Sequence, residues 1–374
     1  PPLRRKLTQL MRFSGIGREE ADEIVAGDLF VVAGFPEVEI GDTLADPADP
    51  VPLPRLTVDE PVLRMTFGVN TSPMSGREGK YLTSRQIRAR LEREVLGNVS
   101  IEFQPTGSAE TFEVRGRGEL QLAVLIEQMR REGFELQVSR PEVLLHRVDE
   151  EIHEPYERVS IDIPPEHIGM VTTSLAARRA RVEQMTTDAD GRTRLEAVMP
   201  TRGLVGYRGQ FLTETRGTGL LHQIGEGYGP WAGEVEHRTS GVLVADRAGT
   251  SNAYALFNLQ DRSTLFIGSG VTVYEGMIVG ENSRPGDMDV NPTKEKKLTN
   301  IRTHSHDDAL RLTPPPPMTL ESAIEFIAAD ELVEVTPASI RLRKRLLSVH
   351  DRRRERGREE DLRRKEEREA AAAR

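Results

Sequence analysis

Residues 111–139 read TFEVRGRGELQLAVLIEQMRREGFELQVS, and the hydrophobic rhythm changes twice along them. Thr111–Arg115 has strand character. From Glu119 to Glu132, Leu120, Val124, Ile126 and Met129 fall on or near one face, which predicts a helix. Gly133 ends that helix and Phe134–Ser139 returns to a strand. Upstream, Val62–Val69 reads as a strand. Thr83–Leu96 carries Ile87, Leu91 and Val95 at intervals of four, so it predicts a helix capped by Thr83 or Ser84. Val99–Phe103 reads as another strand. The element order is β-α-β-β-α-β, the ferredoxin-like split pattern.

The same order recurs. Tyr156–Ile163 predicts a strand, Pro164–Arg178 a helix, and Arg181–Thr186 and Thr193–Met199 strands joined through Asp188-Ala189-Asp190-Gly191. Leu204–Thr215 predicts a helix and Gly219–Gln223 a final strand. Two tandem units with one element order form a topological repeat.

The flanks differ. Leu7–Phe13, Glu23–Val25, Leu29–Gly34 and Asp42–Leu44 are short strand candidates between turns, which suggests part of a small β-barrel. A proline-rich linker follows over 46–55. Beyond Gly225, Gly241–Ala245, Ala253–Asn258, Leu265–Ile267 and Met277–Gly280 read as strands. Val290–Ser305 reads as a long polar, basic loop. Leu320–Ala328 predicts a helix capped by Thr319, and Leu332–Val335 and Ile340–Leu342 predict strands. From Asp351 onward the sequence is almost wholly charged, a solvated helix or a disordered tail. The expected architecture is therefore multidomain α+β. A partial barrel (1–52) precedes two ferredoxin-like βαββαβ domains (53–141 and 142–224), a β-rich domain with a helix (225–350) and a charged tail (351–374).

Composition narrows the function. The chain has 374 residues, a net charge of −9 and no cysteine. Disulfides, thiolate metal sites and cysteine nucleophiles are thereby excluded. No long apolar run or signal peptide occurs, so a cytoplasmic protein without membrane contact is expected. The charge is segregated, however. Arg4, Arg5, Lys6 and Arg12 cluster at the start, and Arg178, Arg179 and Arg181 at a helix end. Lys294, Lys296, Lys297 and Arg302 sit in the long loop, and Arg341, Arg343, Lys344 and Arg345 in the last strand. Residues 314–337 hold five acids and no base. Dense basic spots on an acidic chain fit a polyanionic partner, because phosphate backbones reward them through counterion release. Arg178 and Arg179 also suit a helix C-terminus for electrostatic reasons alone. The loop 294–302 combines cations, hydroxyls and amides with no core-forming period, and is the leading candidate for function.

No self-sufficient active site appears. Gly76-Arg77-Glu78-Gly79-Lys80-Tyr81 is the nearest approach to a phosphate loop, but its spacing fails and Tyr81 replaces the magnesium-binding hydroxyl. Gly116-Arg117-Gly118 lacks the third glycine of a dinucleotide turn and predicts a tight strand-to-helix turn. His304, His306, Asp307 and Asp308 are metal-capable but lack further ligands at regular spacing. No catalytic residue and no metal site is assigned.

Several longer stretches are shared with a known family. Asn70-Thr71-Ser72-Pro73 with Gly76, Gly79-Lys80 and Thr83-Ser84-Arg85-Gln86-Ile87 resembles domain III of the BipA (TypA) translational GTPases, as do Arg115–Leu122 and Met129–Leu136. Pro200–Arg208 resembles the elongation-factor-G-like domain V. Leu256–Arg262, Lys296–Arg302 and Glu331–Pro337 resemble the family's own C-terminal domain. The resemblance runs from about Lys6 to Arg354. It implies the later part of a β-barrel domain II, ferredoxin-like domains III and V, and the family-specific C-terminal domain. Pro1 is not Met and Arg4–Leu10 reads as a strand already in progress, so a piece of a longer protein is expected. GTP and magnesium would belong to a GTPase domain missing here, leaving no cofactor and no GTP hydrolysis in this chain.

The resemblance further implies a monomer that docks on the 70S ribosome and 50S subunit, on 23S rRNA near the A site. Its C-terminal loop would point toward the acceptor end of A-site tRNA, with roles in ribosome assembly and stress adaptation. Charge and resemblance together give the expected RNA-binding set: Arg178, Arg179, Arg202, Arg208, Lys294, Lys296, Lys297, Thr299, Asn300, Arg302, Arg341, Arg343, Lys344 and Arg345. Two other readings stay open: a metal-dependent enzyme built on His304, His306, Asp307 and Asp308, and a protein-docking fragment without an RNA role.

Overall fold

The computed structural model describes residues 4–35, 38, 40–46, 48, 50–54, 60–235, 238–295 and 311–372, without the side chains of 359, 363 and 366–372. The first strands are β1 (Gln9–Ser14), β2 (Gly17–Glu20) and β3 (Phe30–Ala33), in the antiparallel order β2-β1-β3. Among the described residues no closed barrel forms there, and Glu23–Val25 and Asp42–Leu44 are not strands.

Unit one comprises β4 (Leu63–Val69), α1 (Ser84–Gly97), β5 (Glu102–Pro105), β6 (Thr111–Gly116), α2 (Glu119–Glu132) and β7 (Leu136–Val138). Local chemistry fixes its helix ends. At α1 the Thr83 hydroxyl accepts from Gln86 N while the Gln86 side chain returns to the Thr83 amide, a reciprocal capping box. At α2 Gly133 takes φ +97°, the left-handed conformation that glycine adopts without steric cost. The strand order is β7-β4-β6-β5, every neighbour antiparallel. Two short strands follow: β8 (Glu142–Val143) pairs with β4, and β9 (His146–Val148) leads into unit two.

Unit two runs through β10 (Glu151–Ile163), a 3₁₀ turn (Pro165–His167), α3 (Ile168–Ala177), β11 (Arg181–Thr187), β12 (Thr193–Pro200), α4 (Thr201–Leu204), α5 (Tyr207–Glu214) and β13 (Leu220–Pro230). Its order, β11-β12-β10-β13, repeats that of unit one. The single helix expected over 204–215 is split. Gly206 at φ +71° breaks it, and Val205 turns out of the unit into the core of its neighbours.

The last unit contains β14 (Val242–Ala245), β15 (Gly249–Thr250), α6 (Ala253–Gln260), β16 (Ser263–Leu265), β17 (Thr272–Val273), β18 (Met277–Asn282) and β19 (Met288–Val290). These are followed by α7 (Leu320–Phe326), β20 (Glu331–Val335), β21 (Ile340–Lys344) and α8 (Val349–Ala372). The strand expected over 253–258 is the helix α6. Asn252 caps it by accepting from Tyr254 N at 2.8 Å, and Ala255, Leu256 and Leu259 form its buried stripe.

Units one and three are not separate layers. β20 pairs antiparallel with β7 in the register Val333↔Val138, Glu334↔Gln137 and Val335↔Leu136. The result is one sheet of order β19-β14-β18-β21-β20-β7-β4-β6-β5, with β8 and β16 at its margins. One hydrophobic core spans the seam: Phe67, Leu122, Ile126, Leu136 and Val138 from unit one pack with Leu320, Ile324, Val333, Val335 and Leu342 from unit three. A second core lies on the other face of unit three and takes in Met74 from unit one. Unit two keeps its own core around Val159, Leu195 and Phe211.

Because Leu342 is buried in the shared core, Leu342→Ala should cost about 2–5 kcal/mol. Hydrogen exchange under denaturant should show the loss equally in β4 and β18. A loss confined to unit three would separate the two units.

Candidate nucleic-acid interface

The basic strand β21 lies against the acidic strand β20, in a register that sets Glu331 opposite Lys344 and Glu334 opposite Arg341. Lys344 is 2% exposed, and its Nζ lies 2.6 Å from Asp287, 2.8 Å from Asp330 and 2.9 Å from Glu331. Burial alone would lower its pKa, but these three carboxylates outweigh burial and hold it above the usual lysine value. Glu331 also accepts both terminal nitrogens of Arg238. Burial pushes Glu331 up, yet Arg238, Lys344 and the Ala328 amide bring it below the ordinary carboxylate range. Arg341 bridges Glu334 (3.1 Å) and Glu78. Arg343, 1% exposed, donates to Thr71 Oγ1, Gln137 Oε1 and the Lys344 carbonyl.

These contacts correct the expectation for Arg341, Arg343 and Lys344. Lys344 and the half-buried Arg341 are held by internal carboxylates, and Arg343 is buried against neutral oxygens, so none of the three offers a free face to a phosphate backbone. Arg345 is exposed and donates to the Ala329 carbonyl.

The stretch nearest in sequence to a phosphate loop binds an anion of its own. Glu135, fully buried, accepts Gly76 N (2.9 Å) and Asn70 Nδ2 (2.8 Å) through Oε1, and Gly79 N (3.0 Å) through Oε2. A Cβ at Gly79 would fall 2.4 Å from Glu135 Cβ, so glycine is required by close approach. Asn70 also donates to Glu334 at 3.0 Å, and Glu334 takes further bonds from Ser72 Oγ (2.9 Å) and the Tyr274 hydroxyl (2.7 Å). Burial, reinforced by the Glu334 charge, pushes the Tyr274 phenol well up. Gly116–Gly118 is a tight strand-to-helix turn, in which a Cβ on Gly116 would meet Gln121 and Leu122 at 3.1 Å.

In unit two, Arg178 closes α3 and donates to the carbonyl of Gly203 (2.7 Å) and to Gln210 Oε1 (2.7 Å). Burial lowers its pKa. Arg202 grips the fully buried Glu154 in a bidentate pair and lies 3.7 Å over the Trp231 ring. Both hold the unit together. Arg179, at φ +64°, is exposed and donates to the Glu234 carbonyl at 3.1 Å. Arg208 is exposed on α5 and Lys294 is exposed beside β19, and among the described residues neither forms an ion pair.

The basic loop is staged by α6. At one foot Asn252 N donates to the Pro292 carbonyl (2.9 Å), and Thr293 is held by Asn291 Oδ1 (2.8 Å from its hydroxyl). At the other, Gln260 donates to the Arg311 carbonyl (3.1 Å) and accepts Thr313 N (3.2 Å). The two ends of one short helix thus hold the chain on both sides of 296–310. Lys296, Lys297, Thr299, Asn300 and Arg302, and also His304, His306, Asp307 and Asp308, lie outside the described residues. Among the described residues no cluster of three or more histidines and acids could hold a metal, and no helix is long and apolar enough to cross a membrane.

The comparisons with known proteins follow this division of the chain. Residues 151–239, unit two and its exit, match the model described as elongation factor G C-terminus. Residues 240–349 match the TypA/BipA C-terminal domain. The chain is 48% identical over 358 residues to the "Large ribosomal subunit assembly factor BipA" of Salmonella typhimurium, covering 95% of this chain and 59% of that protein. It is 49% identical over 350 residues to the protein of the same name from Escherichia coli K12 (93% and 58%), and 47% over 339 residues to that of Synechocystis (91% and 57%). The chain belongs to the BipA (TypA) family. It spans somewhat under three-fifths of the length of these BipA relatives.

Sequence reading missed the acids that serve the predicted cations. Glu135, Glu154, Glu331 and Glu334 are all fully buried, and each accepts from at least one glycine amide, asparagine, arginine or lysine. The signal was present in the acid-only stretch 314–337 next to the basic 341–345, which a two-strand register would have paired.

Glu334→Ala in this BipA-family chain would leave the Tyr274 hydroxyl unsatisfied and Arg341 paired with Glu78 alone, and should cost about 1–3 kcal/mol in chemical denaturation. Arg208→Ala should change stability by less than about 0.5 kcal/mol. Equal losses would mean that Arg208 is structural.

Proposed function

We propose that this chain is the ribosome-docking part of a BipA-type translational GTPase. It binds 23S rRNA of the 50S subunit and the 70S ribosome near the A site, and presents its basic loop toward the acceptor end of A-site tRNA. In this reading residues 1–52 are the later part of barrel domain II, 53–141 and 142–224 are ferredoxin-like domains III and V, and 225–350 is the family's C-terminal domain. The role is ribosome assembly and stress adaptation, in the cytoplasm, by a monomer. GTP and magnesium act in the GTPase domain of the whole protein.

The observation that carries the reading is the staging of the loop. Both of its feet are bonded to α6, while Arg341 and Lys344 of β21 are paired with internal carboxylates. Of the expected cations, Lys294 at the loop's first foot and Arg179, Arg208 and Arg345 elsewhere are exposed. Family membership, with relatives named large ribosomal subunit assembly factor, supports a large-subunit partner.

Co-sedimentation with 50S and 70S particles across a salt series tests this. Binding should fall steeply with salt and ignore added GTP. Lys296→Ala with Lys297→Ala should reduce the slope of log affinity against log salt by about 1–2 without unfolding the chain. Salt-insensitive binding, or an unchanged slope in the double variant, would contradict it.

A further inference from the structure

Unit two meets the rest of the molecule at a small joint that is crowded with acids. Val205 is buried in the core shared by units one and three. Gly206, the next residue, donates its N–H to Glu119 Oε2 at 3.1 Å, across from α4–α5 to the first turn of α2. Glu325 of α7 covers the same turn. A Cβ on Gly206 would lie 3.4 Å from Glu325 Cβ, and one on Gly209 would lie 3.0 Å from Glu325 Oε2. Glu157, buried on β10, supplies a third carboxylate field. The three acids come from three different units, and among the described residues none of them forms an ion pair.

The charged groups around Glu119 are few. Glu325 faces it from α7 and Glu157 from β10, and Arg178 faces it from the end of α3. Glu321, one turn before Glu325, adds negative charge to α7. Arg178 is committed to the Gly203 carbonyl and Gln210, and to the face of the Tyr207 ring on α5 at 5.0 Å. Arg140, half-buried, feels the charges of Arg178 and Arg238.

We propose that this joint is a proton-operated latch. With Glu119 protonated, the α4–α5 turn of unit two seats against the α2–α7 face. When Glu119 ionises beside Glu325 and Glu157, the turn is released and unit two gains freedom to swing. The latch is independent of which partner the chain binds.

The electrostatics agree with the geometry. Burial pushes Glu119 up to about 7, and Glu325 and Glu157 add to the rise, against the Gly206 amide and Arg178. Glu157 and Glu325 are raised as well, chiefly by burial. A carboxyl raised in the seated state binds its proton more tightly there than when solvated. Seating is therefore favoured at low pH and weakens as pH rises through about 7. For a solvated value near the model 4.5, the seated-to-released ratio should fall about tenfold between pH 6 and pH 8.

The absence of cysteine makes the test clean. Cysteines placed at Arg93 on α1 and Gln184 on β11, both exposed, can carry spin labels in the full chain. The distance distribution is then read from pH 5.5 to 8.5. The seated population should decline as pH rises, with a midpoint between the released and seated values of about 4.5 and about 7. Glu119→Gln, which keeps an acceptor for Gly206 but cannot ionise, should stay seated throughout. Glu325→Gln should move the midpoint to lower pH. A pH-independent distribution in the parent overturns the proposal, as does the parent midpoint surviving in Glu119→Gln. If Glu119→Gln does not fold, an unmoved midpoint in Glu325→Gln overturns it.

Discussion

A three-residue strand, β7, holds two units in one sheet. On one side Val138, Gln137 and Leu136 pair with β4, and on the other with β20. In an isolated β-α-β-β-α-β unit this strand would be an edge, with a row of unpaired amides and carbonyls open to unwanted pairing. Here unit three covers that edge, and the cores on either side merge. The seam is sealed by buried carboxylates at its end. Glu135 ties down the 70–79 segment, Glu334 takes the side chains of Asn70, Ser72, Tyr274 and Arg341, and Asn70 bridges the two. Removing Glu334 would leave donors from both units unsatisfied, and removing Glu135 would free the amides of the 70–79 segment.

The same seam explains why so much positive charge is invisible from outside. Burying a lysine or arginine is costly unless carboxylates and hydrogen bonds surround it. β21 meets that condition at Arg341 and Lys344, which face carboxylates of β20, whereas Arg343 is held by the Thr71 hydroxyl, the Gln137 side chain and the Lys344 carbonyl. A basic cluster in the sequence therefore becomes an internal electrostatic fastening. Of the cations expected to face a partner, Arg208, Lys294 and Arg179 stay exposed.

Much of the fold was legible because the signals were local. The helix over Glu119–Glu132 has the expected ends, and the Thr83 cap was visible from the residue types alone. Tandem element order was readable because each unit encodes its own periodicity. Three features were not. α6 looked like a strand because its short apolar run carries no length cue, and the Asn252 cap was overlooked. The break at Val205-Gly206 depends on a core supplied by other units. The pairing of β7 with β20 joins segments far apart in the chain, for which periodicity offers no signal. Of the candidate site, the loop is singled out by charge and aperiodicity but lies mostly outside the described residues, whereas Arg341, Arg343 and Lys344 turn inward to partners that charge counting does not reveal.

Family membership and the seam together give a coherent account. A continuous sheet carries the C-terminal unit as one piece with unit one, and unit two hangs from it through the Val205 turn. The most direct test of that account is native-state hydrogen exchange at the amides of β7 and β20. The account predicts that both strands open only with global unfolding, at the same free energy as the central strands β4 and β18. A separate, lower-energy opening that exposes β7 and β20 while β4 and β18 stay protected would show that the seam is a contact between independent domains, and would contradict it.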